Sequence, residues 1–236
     1  MYGWRARLGI IVPSGIVVTE PEFSSMTPVG VSCHYHRIAF QGGGIDNLKK
    51  VEGGLVDATR LILHVHPAAI AMAGTGVSFV GGYGYDQMMI KKMKEINGNL
   101  PTTTTSSSVI DAFHRLGIKK VSMAMPYIEE VALAAVKFVE ESGIEVLSKK
   151  WLDIHGPIHN LPRETVYNLA LEVDDPESEA MFLPCVGWPT IEVIEKLEWA
   201  LQKPVISSNQ ATMWNLLRLA NINDKIEGYG QLLSKY

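Results

Sequence analysis

The chain has 236 residues, 47% of them hydrophobic, which is enough for one large domain or two small ones around a substantial core. The formal net charge of −4 at pH 7 provides no basic surface for nucleic acid, so we expect no nucleic-acid partner. The sequence shows no apolar run of about 18 residues, and the apolar core of the N-terminal segment is too short for a signal peptide. We therefore expect no membrane association and a cytoplasmic location, where the two widely separated cysteines stay reduced.

Short apolar runs alternate along the chain with longer amphipathic segments. Most of the runs are continuous rather than alternating, which predicts buried parallel strands. The predicted strands are residues 8–12, 31–40, 68–74, 119–126, 144–151 and 180–184. The predicted helices are residues 45–66, 85–96, 128–143 and 162–173. Strands and helices that alternate in this way indicate βαβ units and a mainly parallel sheet.

The chain also contains an internal repeat. Residues 100–117 and 203–220 align without a gap, and Thr105 falls on Ser208. Each stretch predicts a short strand, a hydroxyl-rich turn and a helix capped by Ser or Thr. Two further pairs of segments follow in the same order, namely 8–14 with 121–127 and 68–76 with 179–187.

The repeat predicts an α/β fold of two similar Rossmann-like lobes, whose parallel sheets are related by a pseudo-twofold axis. We expect the first lobe to hold residues 1–110, with residues 211–236 returning to it, and the second to hold residues 111–210. Parallel α/β sheets bind ligands beyond the C-terminal ends of their strands. The sequence therefore predicts an active site in the cleft between the two lobes.

The ends of four predicted strands carry the candidate site residues. Gly74 and Cys185 are expected to face each other across the cleft, and each is followed by backbone N–H groups that suit an anion. The expected ligand is a small carboxylate held by neutral donors. The candidate residues at these strand ends are Pro13, Ser14, Gly74, Thr75, Gly76, Tyr127, Cys185, Val186 and Gly187.

Several motifs resemble those of the aspartate/glutamate racemase superfamily, within the branch that holds maleate cis–trans isomerase and arylmalonate decarboxylase. The motifs are RLGIIVPSG…VVTEPEF (7–23), GTGVSFVGG (74–82), MPYIEEV (125–131) and GYGQLL (228–233). The resemblance covers nearly the whole chain. It implies two α/β lobes with the active site between them, in agreement with the internal repeat.

The resemblance also gives Cys185 a role. Racemases and isomerases of the superfamily carry two cysteines, one from each lobe; the second matches Cys185, whereas Gly74 stands in place of the first. Arylmalonate decarboxylase departs from the racemases in the same way. Loss of carbon dioxide from a malonate leaves an enediolate that needs one proton on one face. A thiol with a free pKa of about 8.5 is largely protonated at pH 7, so the resemblance implies that Cys185 is the proton donor.

Further roles follow from the same resemblance. Thr75, Tyr127 and the amides around Cys185 to Gly187 are expected to hold the reacting carboxylate as an oxyanion hole. Val77 is a candidate for the apolar wall that faces the departing carboxylate. The decarboxylase has serine at the position of Gly76 and glycine at the position of Val186, and the latter difference predicts a narrower pocket here. No metal or cofactor is implied.

The sequence leaves alternatives open. The leading interpretation is decarboxylation of a disubstituted, arylmalonate-type acid. The others are a maleate isomerase or an Asp/Glu-type racemase that lacks the first cysteine, and a binding protein for small carboxylates. Cys33 lies early in its strand and is expected in the core, and the paired histidines at 34/36 and 64/66 lack a third metal ligand. The expected partner is a small dicarboxylic or arylmalonic acid, and an oligomer is compatible with the sequence.

Overall fold

The computed structural model describes residues 2–40 and 42–236. The strands in this part of the chain are β1 (Ala6–Pro13), β2 (Val31–Ile38), β3 (Ala69–Met72), β4 (Thr102–Thr104), β5 (Lys120–Met125), β6 (Glu145–Trp151), β7 (Ala180–Leu183) and β8 (Val205–Ser207). The α-helices are α1 (Thr19–Met26), α2 (Ile45–Lys50), α3 (Leu55–Ile62), α4 (Thr75–Phe79), α5 (Tyr85–Asn97), α6 (Thr105–Leu116), α7 (Glu129–Glu141), α8 (Arg163–Val173), α9 (Ile194–Leu201), α10 (Ser208–Leu219) and α11 (Gln231–Lys235).

The strands form two separate four-stranded sheets, and every pairing between neighbouring strands is parallel. The order is β2–β1–β3–β4 in the first sheet and β6–β5–β7–β8 in the second, so the second sheet repeats the topology of the first. The central strands β3 and β7 are buried along their whole length, as continuous apolar runs predict. The predicted fold class, two similar parallel α/β lobes, is confirmed.

The internal repeat appears as two strand–cap–helix units. In the first, β4 runs into α6, and the Thr104 side chain accepts a hydrogen bond from the backbone N–H of Ser107. In the second, β8 runs into α10, where Ser207 and Gln210 form a capping box. These side chains satisfy N–H groups that the first turn of a helix leaves without an internal partner.

The predicted helix over residues 45–66 is wrong as a single element. The segment consists of α2, a 3-10 turn (Val51–Gly54), α3 and a second 3-10 turn (Leu63–Val65). The break contains Gly53 and Gly54, and glycine is a poor helix former. A Cβ at Gly54 would lie 2.7 Å from the Ile38 side chain at the end of β2. Only glycine allows the backbone to approach the strand so closely.

The two lobes meet through α6 and α10, which pack against each other. Helix α10 also contacts β3 and β4 of the first sheet, whereas α6 contacts β8 of the second. The predicted lobe boundary at residue 110 lies inside α6 and coincides with no break between elements, so the division of the chain stays a prediction. No helix of the described residues is long and apolar enough to cross a membrane.

Candidate active site

One cavity of about 680 Å³ lies between the lobes, beyond the C-terminal ends of β1, β3, β5 and β7. The predicted site residues that line it are Pro13, Gly74, Thr75, Gly76, Val77, Tyr127, Cys185, Val186 and Gly187. Residues from both lobes thus reach the same cavity, because strands of equivalent position end on it in each sheet.

Ser14 is the exception among the predicted residues, since it does not line the cavity. Its hydroxyl accepts a hydrogen bond from the Phe40 backbone N–H at 2.9 Å, and its own N–H donates to the Ile38 carbonyl at 2.7 Å. The chain turns sharply after Pro13, so Gly15 and Ile16 reach the cavity instead. Ser14 therefore joins β1 to the segment after β2.

Cys185 lies directly beyond β7, next to Pro184. Its backbone φ of 113° lies in a region that residues other than glycine rarely adopt. The backbone N–H donates to the Ser208 hydroxyl at 3.1 Å, which attaches the strained residue to the first turn of α10. The surrounding structure thus holds the thiol at the wall of the cavity.

The thiol of Cys185 is buried and stays protonated at neutral pH. Burial raises its pKa to about 11, although nearby N–H groups of Gly187 and Trp188 and the Tyr127 hydroxyl oppose the rise in pKa. The buried carboxyl of Glu22 adds to the rise in the pKa of the thiol. The arrangement suits an acid that releases its proton to a strongly basic carbon rather than a resting thiolate nucleophile.

Gly74 occupies the position equivalent to Cys185 in the other lobe. Its backbone N–H donates to the Thr105 hydroxyl at 3.1 Å, just as the N–H of Cys185 donates to Ser208. Thr105 and Ser208 are the two residues that the repeat aligned. The φ of Gly74 is −164°, an extended conformation open to any residue. A Cβ there would lie 3.2 Å from both the terminal methyl group of Met72 and the Cβ of Val77, so a small side chain requires a slight shift of these neighbours.

Two hydroxyl groups border the thiol. The Tyr127 hydroxyl is buried without a hydrogen-bond partner in the described part of the chain, and burial raises its pKa well above the ordinary value. The Cys185 thiol and the Thr75 hydroxyl lie near enough to influence the pKa of this tyrosine. Thr75 itself donates to the Ser208 hydroxyl at 2.8 Å. Tyr127 thus brings to the cavity lining a neutral hydroxyl that has no hydrogen-bond partner among the described residues.

The cavity offers neutral donors and apolar walls rather than fixed charge. Neither lysine nor arginine is among the described residues that line it, and its two histidines lie on the segment after β6. Further apolar walls come from Ile16, Phe40, Leu48, Val131, Ile154 and Ile158. No cluster of three or more potential metal ligands occurs in residues 2–40 and 42–236.

Sequence reasoning missed the residues that hold the turn after Cys185. Glu22 is buried and accepts hydrogen bonds from the backbone N–H groups of Thr190 and Ile191, and Asn209 donates to the carbonyl of Val186. A signal was present for both side chains, because Glu22 belongs to the VVTEPEF motif and Asn209 follows the repeated hydroxyl pair. Their contact with the turn after Cys185 joins segments far apart in sequence, so neither motif alone indicates this contact.

The fold and the site define a class of two-lobed α/β protein, in which residues of both lobes and one buried thiol line a shared cavity. The family model described as arylmalonate decarboxylase matches residues 8–233, and the chain belongs to this family. The resemblance stated from the sequence motifs is confirmed.

Individual relatives include both decarboxylases and isomerases. The chain is 27% identical to arylmalonate decarboxylase of Bordetella bronchiseptica, covering 94% of this chain and 96% of the relative. It is 25% identical to a maleate isomerase of Pseudomonas putida, covering 97% of both. A structure of a maleate isomerase variant from Pseudomonas putida S16 with maleate superimposes with a TM-score of 0.93 at 22% identity, covering 97% of both chains, and this match concerns the fold alone.

Proposed function

We propose that this protein is a cofactor-independent decarboxylase of a disubstituted, malonate-type acid, and that Cys185 protonates the enediolate left by the loss of carbon dioxide. The observation that carries the proposal is the asymmetry between the lobes. A buried, protonated thiol stands on one side of the cavity, and Gly74, with no side chain, stands at the equivalent position on the other. Family membership supports the same reaction class.

Binding rests on neutral hydrogen-bond donors. The Tyr127 hydroxyl and the first backbone N–H groups of α4, which have no carbonyl one turn earlier to bond, hold the carboxylate that remains in the product. The other carboxylate faces apolar side chains such as Val77 and Leu48. Loss of water there destabilises the charged carboxylate relative to neutral carbon dioxide.

The chemical step breaks the bond between the α-carbon and the unsolvated carboxylate. The electron pair stays on the substrate as an enediolate, whose oxygens take up the developing charge against the fixed donors. Cys185 then gives its proton to the α-carbon from one face. The thiolate that results lies near the N–H groups of Gly187 and Trp188 and takes a proton from water before the next turnover.

The shape of the cavity indicates the substrate class. Its volume of about 680 Å³ accommodates one bulky substituent beside the two carboxylates. Phe40, Leu48 and Ile158 make the outer part apolar, which suits an aryl or a branched alkyl group. Val186, buried beside the thiol, limits the second substituent to a small one. A racemase or two-thiol isomerase needs a group on both faces of the carbon, and Gly74 offers none.

The proposal is tested with purified protein and a panel of aryl- and alkylmalonates and maleate, followed by NMR. We expect loss of carbon dioxide from the disubstituted malonates and formation of one enantiomer of the monocarboxylic acid. Conversion of maleate to fumarate without loss of carbon dioxide from any malonate would make the protein an isomerase. Exchange of the α-proton alone would indicate a racemase, and saturable binding without turnover a binding protein.

A further inference from the structure

A buried carboxylate lies beneath the turn that follows Cys185. Glu22, on α1, is only 6% exposed. Its Oε1 atom accepts hydrogen bonds from the backbone N–H groups of Thr190 at 2.8 Å and Ile191 at 3.2 Å. Its Oε2 atom accepts from Nδ2 of Asn209 at 2.7 Å. One side chain of the first lobe thus binds the backbone of the second, 168 residues further along the chain.

The same cluster holds the first residue after the thiol. Thr19, one helical turn before Glu22, donates from its hydroxyl to the Val186 carbonyl at 3.2 Å. Asn209 donates to the same carbonyl at 3.1 Å. Residues 186–191 are therefore attached near both ends. This segment, the Cys185 turn, carries the N–H groups of Gly187 and Trp188 that lie near the thiol.

The hydrogen-bond pattern fits the ionised form of Glu22. Three donors point at two carboxylate oxygens, so a proton on either oxygen would oppose a donor and break at least one bond. Burial raises the pKa of Glu22 to about 7, while the three hydrogen bonds oppose this rise in pKa and the neighbouring Glu192 adds to it. The other ionisable group that faces Glu22 is the Cys185 thiol. Both forms of Glu22 therefore occur near neutral pH.

We propose that Glu22 is a positioning residue of this site: its ionised carboxylate holds the Cys185 turn in the geometry that delivers the proton, and protonation of Glu22 releases the turn. The inference rests on the proposed decarboxylation for its kinetic consequence, although the structural consequence is independent of it. Glu22 does not line the cavity, so a substrate bound there would not contact it. Its effect acts through the placement of the thiol and the adjacent amides.

The kinetic test compares Glu22→Gln with the matched control Glu192→Gln. Glu192 is an exposed neighbouring carboxylate that pairs with Arg163 and accepts no hydrogen bond from residues 186–191. Wild-type kcat should fall as the pH is lowered through about 7, because protonated Glu22 loses a bond to the turn. At pH 8, Glu22→Gln should have a kcat about 10- to 100-fold below that of wild type, with little change in KM. Its kcat should no longer depend on pH around pH 7. Glu192→Gln should keep the wild-type kcat at pH 8. Its kcat should fall at a slightly lower pH than that of wild type, because Glu192 raises the pKa of Glu22. A Glu22→Gln variant with the wild-type kcat and pH profile would overturn the proposal.

A second measurement needs no substrate and separates this inference from the proposed function. Hydrogen–deuterium exchange followed by mass spectrometry should show faster exchange in the peptide with residues 186–191 in Glu22→Gln, and wild-type exchange there in Glu192→Gln. If circular dichroism shows that Glu22→Gln does not fold, Glu22→Asp replaces it in the experiment. This variant keeps the charge, but its shorter side chain lies further from the donors, so exchange in residues 186–191 should also be faster. Unchanged protection in a folded Glu22 variant would refute the positioning role. Faster exchange in a protein that decarboxylates nothing would refute only the proposed reaction.

Discussion

Cys185 shows how the environment of a residue decides its chemistry. The chain has two cysteines, and burial raises the pKa of both thiols. Only Cys185 combines a buried thiol with an unusual backbone angle and a place at the cavity wall. Cys33 lies on the edge strand β2 and contacts the Thr27 hydroxyl at 3.3 Å, as a packed structural thiol does.

We predict that Cys185→Ser and Cys185→Ala lose decarboxylation by about 100-fold or more, since general acids typically contribute at least this much and a hydroxyl is a far weaker acid than a thiol. Release of carbon dioxide measures the loss, and circular dichroism verifies the fold. Cys33→Ser is the control and should keep turnover close to normal. An essential Cys33 beside a dispensable Cys185 would show that the wrong thiol has been chosen.

Gly74 provides a test of the proposal that the substrate is protonated from one face only. Gly74→Cys should lower the enantiomeric excess of the product, because a new thiol would allow protonation from the second face of the enediolate. The extended φ of −164° imposes no backbone penalty, and the new side chain needs a slight shift of Met72 and Val77. Chiral chromatography gives the enantiomeric excess, and slow racemisation of the product should accompany its fall.

The matched control for this experiment is the double variant Gly74→Cys with Cys185→Ser. Its remaining donor stands on the opposite face, so we expect the mirror-image product in excess. An unchanged enantiomeric excess in a folded, active Gly74→Cys variant would mean that Gly74 does not face the reacting carbon. The two-lobe mechanism would then have to be abandoned.

At the scale of elements, the strand–cap–helix units place the site. In each unit, the last residue of the strand, Thr104 or Ser207, caps the first turn of the helix. The hydroxyl of the next residue accepts a hydrogen bond from the backbone N–H at the neighbouring strand end. Thr105 accepts from Gly74, and Ser208 accepts from Cys185. Consecutive hydroxyls thus start the helix and hold the strand end, which explains the run of Ser and Thr at both places.

We predict that Ser207→Ala lowers the free energy of unfolding by about 1 kcal/mol, because it removes the capping box of α10. Thr104→Ala in the other lobe should cost a similar amount. Urea denaturation measures both changes. The control Ser25→Ala removes a hydroxyl that only bonds a carbonyl of its own helix, and should change stability by less than about 0.5 kcal/mol. Equal stabilities of all three variants would contradict the capping role.

At the scale of the whole molecule, the two lobes share buried polar groups as well as apolar surface. Asn215 on α10 donates to Asp111 on α6 at 2.9 Å, and the Thr212 hydroxyl donates to that of Thr105 at 3.1 Å. Glu22 adds a buried charge to this set of contacts between the lobes. Its ionisation therefore affects the stability of the whole chain and not only the site.

The stability of the protein should depend on pH through Glu22. The pKa of Glu22 is about 7 in the folded chain and lies above its ordinary value of 4.5, so the folded state binds this proton more tightly than the unfolded state. This preference adds to the free energy of unfolding below about pH 4.5, and the gain is lost as the pH rises through 7. The full loss is roughly 3 kcal/mol. Glu22→Gln lacks this titration, so its stability relative to wild type should rise between pH 5 and pH 8, as measured by urea denaturation at each pH. A constant difference between the two proteins would contradict the elevated pKa.

The sequence alone determined the fold class, the two-lobed repeat and the part of the cavity lining that lies at the ends of the strands. Buried parallel strands leave continuous apolar runs, and residues at their C-terminal ends come together in any such sheet, so Gly74, Thr75, Tyr127 and Cys185 could be found from local pattern. The cap residues of α6 and α10 could also be predicted, because capping involves residues that are close together in sequence.

Only the tertiary structure decided the features that depend on distant contacts. The helix predicted over residues 45–66 breaks where Gly54 meets Ile38, and Ser14 is drawn to Phe40 rather than to the cavity. Glu22 reaches the Cys185 turn across 168 residues of sequence. The pKa values of Cys185 and Glu22 depend on burial by segments far apart in sequence, and no local pattern encodes the loss of water that raises these pKa values.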